Sequence, residues 1–380
     1  MFHEFNKCSL GYTCIYNKFP LYCQVDNVTA NATPVNSGMS EVEKLRAKLQ
    51  QSSLPANLHE KASDQIDRIS MALKYGGNLS QLDITSKYID VITTLPWDKR
   101  TQDNLDINKA TEIMEKNHYG IKKIKDRVLE YLSILALQKQ RAPDSGYHAP
   151  SLFFVGLAGT GKTTFAKSIA ETLGRQFVRI PFGGLSSAND LRGQPKVTPD
   201  AEPGTIIRAL RRVQSKNPVI LLDELDRVTP EARSSIMGSL LEILDPGQNA
   251  TFTDYYVDYP FDLSEVLFVA TANNTNNVAT AVLDRLEVIQ MPSYTDDEKI
   301  YIGKNYVLPK ALKNLGLTTD NVKFDEAVWA LLVRPLGFEP GIRSLERIIE
   351  EIIRKAAYQI VSGRGETFFI NADNIKQFTG

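Results

Sequence analysis

Residues 156–163 (GLAGTGKT) set glycines, a lysine and a hydroxyl at the G-x₄-G-K-[ST] spacing. That combination is chemistry for a polyphosphate. Gly156, Gly159 and Gly161 let successive backbone N–H groups curl round phosphate oxygens, with Thr160 and Thr164 on either side of the last glycine. Lys162 then reaches the outer phosphates, and the Thr163 hydroxyl is a ligand for Mg²⁺. A second cluster, 221–226 (LLDELD), ends an apolar run in carboxylates. Asp223 can join the Mg²⁺ shell, while Glu224 is placed to polarise an attacking water. A third, 270–273 (ATAN), offers the Asn273 amide to orient that water or sense the terminal phosphate. Each has a plainer reading as a glycine turn, a common pair of acids, or a loop asparagine. Their shared position after short apolar runs favours the functional one.

Those runs are 151–155, 218–222 and 266–270, apolar on both faces, as strands buried in a parallel sheet are. Helical patterns at 163–173 and 206–214 separate them, so the fold predicted is α/β, a doubly wound parallel sheet. Strand runs stop after Pro292, and helical patterns at 296–308, 325–334 and 342–361 predict a smaller helical domain. Upstream, Ser40 and Glu43 read as a capping box before Val42, Leu45 and Leu49. A second helix follows Pro55 with Ile66, Ile69 and Leu73 on one face, stopping at Gly76 and Gly77. A third carries Ile84, Tyr88 and Val91 up to Leu95, Pro96 and Trp97. They form either a partner-binding arm or a plain bundle. Residues 26–38 lack apolar periodicity and read as a linker. The expected division is a short flap and linker (1–38), a helical neck (39–103), a large α/β nucleotide domain (104–292) and a small helical lid (293–380).

Composition limits the partners. The 380 residues carry 44 Lys and Arg against 45 Asp and Glu, a formal charge of −1, which argues against a dedicated nucleic-acid binder. Arg208, Arg211 and Arg212 are then a solvated helix face, and no nucleic-acid partner is expected. No stretch approaches the ~18 apolar residues of a membrane span, and the N-terminus has no apolar signal core, so a cytoplasmic location is expected. Cys8, Cys14 and Cys23 with His3 could hold zinc, but they lack a C-x₂-C pair and read more simply as free thiols. Asn27 and Asn31 stand in N-x-T triplets, which carry no meaning in a cytosolic protein.

Together GLAGTGKT, LLDELD, FVATANN, LLDRLEVI, PSYTDDEK and GIRSLER resemble the AAA+ ATPase module of Lon proteases. The resemblance extends to LPWDKRTQDNLDINKA, HYGIKKIKDRVLEYL and LLEILDPGQN and covers about residues 40–380. It implies ATP and Mg²⁺ as cofactors, a homo-hexameric ring and protein substrates. It also implies Arg285 as an arginine finger reaching the neighbouring subunit and Arg343 as a sensor arginine on the lid. His118, Tyr119, Gly120, Ile121 and Tyr294 would border the adenine. Two departures qualify these expectations. The family's Ser–Lys peptidase domain would begin where this sequence stops, at NIKQFTG, and its large β-rich N-terminal domain is represented only by the short flap. The expectation is therefore an ATPase that remodels or unfolds proteins, or feeds a separate peptidase. In the loop after Leu191, Arg192 and Gly193, Thr198 and Pro199 occupy the places of the family's substrate-gripping aromatic–aliphatic pair. A nucleotide-gated binding switch that does not thread is the second reading. A nucleic-acid-associated ATPase is the third.

Overall fold

The structure is a computed structural model that describes residues 34–75, 79–141, 150–334 and 341–379. His3, the three cysteines and both N-x-T triplets lie outside the described residues. The chain enters through α1 (Pro34–Gln50), α2 (Ala56–Lys74) and α3 (Leu79–Thr94). Here three expectations are corrected. The backbone is already helical at Pro34, whose fixed φ suits a first turn, so 34–38 is not linker and Ser40 lies inside α1 instead of capping it. In α3 the buried stripe centres on Thr85, Ile89 and Ile92, leaving Ile84 on its flank at 45% exposure.

Next come α4 (Ile107–Asn117), capped by the Asp106 carboxylate, and α5 (Lys122–Arg141). The α/β layer follows as β1 (Ser151–Val155), α6 (Lys162–Leu173), β2 (Phe177–Pro181), α7 (Ala188–Arg192), α8 (Thr205–Val213), β3 (Val219–Asp223) and α9 (Pro230–Leu244). A small antiparallel pair, β4 (Phe252–Asp254) and β5 (Tyr259–Phe261), precedes β6 (Leu267–Ala272), α10 (Thr280–Leu283) and β7 (Leu286–Gln290). The main sheet is wholly parallel in the order β2-β3-β6-β1-β7. Its three inner strands are the three apolar runs, each within a residue or two of its expected bounds. The edge strands went unread because only one side of each is covered: in β2, Val178 and Ile180 are buried while Arg179 and Pro181 are exposed. Pairing of Val155 with Ala272, and of Leu222 with Ala270, brings the ends of β1, β3 and β6 level. The three chemical clusters thus open at one edge, where parallel α/β sheets bind ligands.

The C-terminal part packs α11 (Asp296–Ile302), a π-helical turn (Gly303–Val307), α12 (Leu308–Asn314), α13 (Glu326–Val333), α14 (Arg343–Val361) and α15 (Ile375–Phe378). It is not purely helical: β8 (Val322–Phe324) pairs in parallel with β9 (Phe368–Ile370), each too short to register as an apolar run. Its own core gathers Trp329, Leu345, Ile349 and Ile353. One face of the main sheet is covered by α4–α6. On the other face, Leu58, Ile66 and Ile92 of α2 and α3 join Phe182, Ile220, Leu240 and Phe261 in one continuous apolar cluster. The three first helices are therefore packed onto the α/β core. Among the described residues, no helix is long and apolar enough to cross a membrane.

Candidate nucleotide site

A cleft of about 670 Å³ lies between the C-terminal edge of the sheet and the helical lid. On one side β1 runs into the glycine loop, where Gly159 (φ +82°) and Gly161 (φ +91°) take the left-handed backbone that side chains resist. Gly161 is the N-cap of α6 and has no side chain to satisfy the first-turn N–H groups, which leaves that end of the helix suited to an anion. Lys162 Nζ donates to the carbonyls of Gly156 (2.5 Å) and Leu157 (3.0 Å) and to the Asn273 side-chain oxygen (3.3 Å). Burial lowers its pKa from the usual lysine range, while the carboxylates of Asp226, Asp223 and Glu224 pull the other way. A phosphate chain is the ligand this cradle fits.

Across the cleft, Asp223 is buried at 4% exposure, and its Oδ2 accepts from Arg179 Nε at 2.5 Å. Its Oδ1 accepts from the Thr271 hydroxyl, and the same hydroxyl oxygen accepts the Glu224 N–H at 3.0 Å. This bridge ties the two strand ends together and holds Glu224 in a left-handed conformation (φ 60°, ψ 53°), uncommon for a non-glycine residue. The Glu224 carboxylate is partly open to the cleft, 3.5 Å from Arg227. Asn273 is set by Asp226, whose Oδ2 accepts the Asn273 N–H at 3.1 Å. Thr163 and Asp223 supply hard oxygens to the same cleft, the donor type Mg²⁺ takes.

The far wall is aromatic. The His118 ring stacks on Phe165 at 3.8 Å, and its Nε2 lies 2.9 Å from Ser168 Oγ. Burial, aided by Lys125, pushes its pKa down to about 4, so the imidazole is neutral near pH 7. Tyr119 stacks on Tyr301 of α11 at 3.8 Å. The Tyr294 hydroxyl donates to the Thr160 carbonyl at 3.2 Å, and burial pushes that phenol up to about 12. Arg343, at the start of α14, closes the cleft from the lid side.

Residues 152–294 match the family described as ATPase family associated with various cellular activities (AAA), and residues 313–368 match the Lon protease AAA+ ATPase lid domain. The chain is 41% identical over 349 residues to Lon protease 2 of Thermus thermophilus, an alignment covering 90% of this chain and 43% of that protein. The Lon protease of Desulforamulus reducens is 40% identical over 332 residues, with 87% and 40% covered. That of Clostridioides difficile is 39% identical over 342 residues, with 90% and 42% covered. This chain belongs to the Lon family of AAA ATPases. It spans about two fifths of the length of the Lon proteases it matches.

Within this Lon-family fold, Gly159, Gly161, Lys162, Thr163, Thr164, Asp223, Glu224, Asn273, His118, Tyr119, Tyr294 and Arg343 all line the cleft. Gly156 and Thr160 take part through their carbonyls. Gly120 and Ile121, with φ of +65° and 43°, form the turn into α5 and do not line the cleft. Arg285 does not line it either and is held instead by Asp245. Three residues with parts to play escaped the sequence: Arg179, Thr271 and Asp226. Arg179 sits on the unread edge strand. Thr271 shows its role only once β3 and β6 are paired. Asp226 had a visible signal, as the third acid of LLDELD, but no reason to be chosen over its neighbours.

The lid of this ATPase touches the phosphate loop directly. The Ile342 N–H donates to the Gly159 carbonyl at 3.2 Å, and a Cβ on Gly341 would stand 2.4 Å from the Ala158 carbonyl oxygen. Gly341→Ala must push lid and loop apart. We expect it to weaken nucleotide binding by about tenfold, a cost of ~1.4 kcal/mol. Titration with a fluorescent nucleotide measures this, and unchanged affinity would mean that lid contact with the loop does not support binding.

Proposed function

We propose that this chain hydrolyses Mg²⁺-ATP as a subunit of a homo-hexameric ring and uses the cycle to unfold or remodel protein substrates, in the cytoplasm, alone or feeding a separate peptidase. The reading rests on one observation: the phosphate loop, paired acids, Asn273 and the lid's Arg343 converge on one cleft. In this reading the neck starts with α1 at Pro34 and runs to 103, followed by the nucleotide domain (104–292) and the lid (293–380). The loop N–H groups and Lys162 bind the phosphates, and His118 and Tyr119 with Tyr294 border the adenine. Glu224 accepts a proton from the attacking water, Asn273 orients it, and Arg343 draws the lid toward the terminal phosphate. Mg²⁺, held by Thr163 with Asp223, would neutralise charge developing between the outer phosphates. Asp223 is freed for that role when Arg179 lets go. Turnover that needs Mg²⁺ and rises with unfolded protein supports this function; stimulation by one folded partner, or by DNA at moderate salt, points elsewhere.

The second reading, a switch that binds and releases a partner without threading it, draws on the loop at 194–203. Thr198 and Pro199 are exposed at its tip beside Val197, which is 86% exposed. The Thr198 N–H is used within the loop, donating to the Pro195 carbonyl at 2.9 Å, and Lys196 packs 4.1 Å from the Tyr88 ring centroid. No aromatic ring stands at this tip. Aromatic contacts add ~0.5–1.5 kcal/mol beyond area burial, so a ring lacking them slips on its substrate. We expect ATP turnover with poor unfolding of a stable fluorescent substrate, and more unfolding per ATP in Thr198→Tyr/Pro199→Ile. Efficient unfolding by the unaltered protein would instead assign the grip to Val197, Lys196 or another loop.

A further inference from the structure

Arg285 lies between α10 and β7, outside its own subunit's cleft, and its guanidinium is fastened on two sides. Nε and Nη2 donate to Oδ2 of Asp245 at 3.0 and 2.9 Å, and Nη1 donates to the Ala281 carbonyl at 3.0 Å. Asp245 is itself fixed. Its Oδ1 accepts the Gly247 N–H at 2.8 Å, and its own N–H donates to the Leu241 carbonyl at 3.1 Å, closing α9. A guanidinium has five N–H groups. The bonds to Asp245 and Ala281 take three of them. The two that remain are on the terminal nitrogens, as two-point binding of a phosphate requires. The group is also within reach of a neighbour, since the Arg285 side chain is 34% exposed.

The carboxylate occupies a telling place in the chain. A 3₁₀ turn (Leu225–Arg227) leads from Glu224 to helix α9, which starts at Pro230 and is C-capped by Asp245; its 15 residues span about 22 Å. A short turn followed by this one helix thus joins Glu224 of a subunit's own site to the arginine pair. The geometry points to Asp245 as a positioning residue that holds the Arg285 guanidinium for the terminal phosphate bound by the adjacent subunit. This rests on the arginine-finger reading of Arg285, so the test must separate the two.

The test is a double-mutant cycle in assembled rings, with assembly checked by light scattering. Asp245→Ala should lower kcat by about 10²-fold, the scale of a misplaced catalytic group, and leave the Kd for a fluorescent nucleotide unchanged. Asp245→Asn keeps the shape and the bond from Gly247 but loses the charge, and should fall between. In an Arg285→Ala background, Asp245→Ala should cost nothing further, because no guanidinium is left to position. A further loss in the double variant, or a wild-type kcat in Asp245→Ala, overturns the inference. If Asp245→Ala rings come apart, the cycle is run with Asp245→Asn. If Arg285→Ala alone keeps wild-type turnover in intact rings, the finger reading has failed on its own evidence, and the inference falls with it.

Discussion

Glu224→Gln should hold ATP about as tightly as the unaltered protein and hydrolyse it about 10³-fold more slowly, in the range that loss of a general base commonly costs. Glutamine keeps the size and polarity of the side chain but cannot take a proton from water. The backbone that presents it is unlikely in isolation yet fixed here: the Glu224 N–H is tied to Thr271, whose hydroxyl is tied to Asp223. The substitution leaves that bridge untouched, so the loss should appear in kcat and not in binding. Lys162→Ala provides the contrast. It removes the ammonium that contacts Asn273 and the glycine loop, and should abolish binding measured by fluorescent nucleotide titration. Wild-type turnover in Glu224→Gln would refute the assignment of the base and move attention to Asp226, the acid that accepts the Asn273 N–H.

The contrast between these residues shows how far the sequence could be read. Where a function depends on neighbours in the chain, as at residues 156–163, spacing sufficed, because glycine conformations, lysine reach and helix start are all local. The inner strands were equally legible, since burial on both faces leaves an apolar run. Arg179 was not, because an edge strand half open to solvent alternates polar and apolar residues and is easily passed over. Thr271 and Asp245 are harder still. A threonine inside an apolar strand and an aspartate after a helix look ordinary until pairing brings Thr271 to Asp223 and Asp245 to Arg285. The three first helices were found by their periodicity, yet periodicity could not say what they covered. Their apolar faces complete the core on one side of the sheet, which a hydrophobic pattern alone does not distinguish from a free-standing bundle.

The arginine that does not line its own cleft leads to the largest expected loss. Fingers of this kind supply ~10³–10⁵-fold in phosphoryl transfer, and Arg285→Ala should lose turnover on that scale while binding nucleotide normally. Because the residue would act on the adjacent subunit, two inactive proteins should repair each other. A Glu224→Gln subunit still offers its finger, and an Arg285→Ala subunit still has its base. Where they meet in the right order, a whole site forms; in randomly mixed rings from equal parts this describes about a quarter of the head-to-tail junctions. ATP turnover should therefore rise, on mixing, toward about a quarter of the wild-type rate if sites fire independently. The rise should follow subunit exchange, read by energy transfer between labelled subunits. Rings shown to be mixed yet still inactive would rule out action between subunits. The bond to Asp245 would then be a structural fastening of Arg285 and not the mount of a catalytic group.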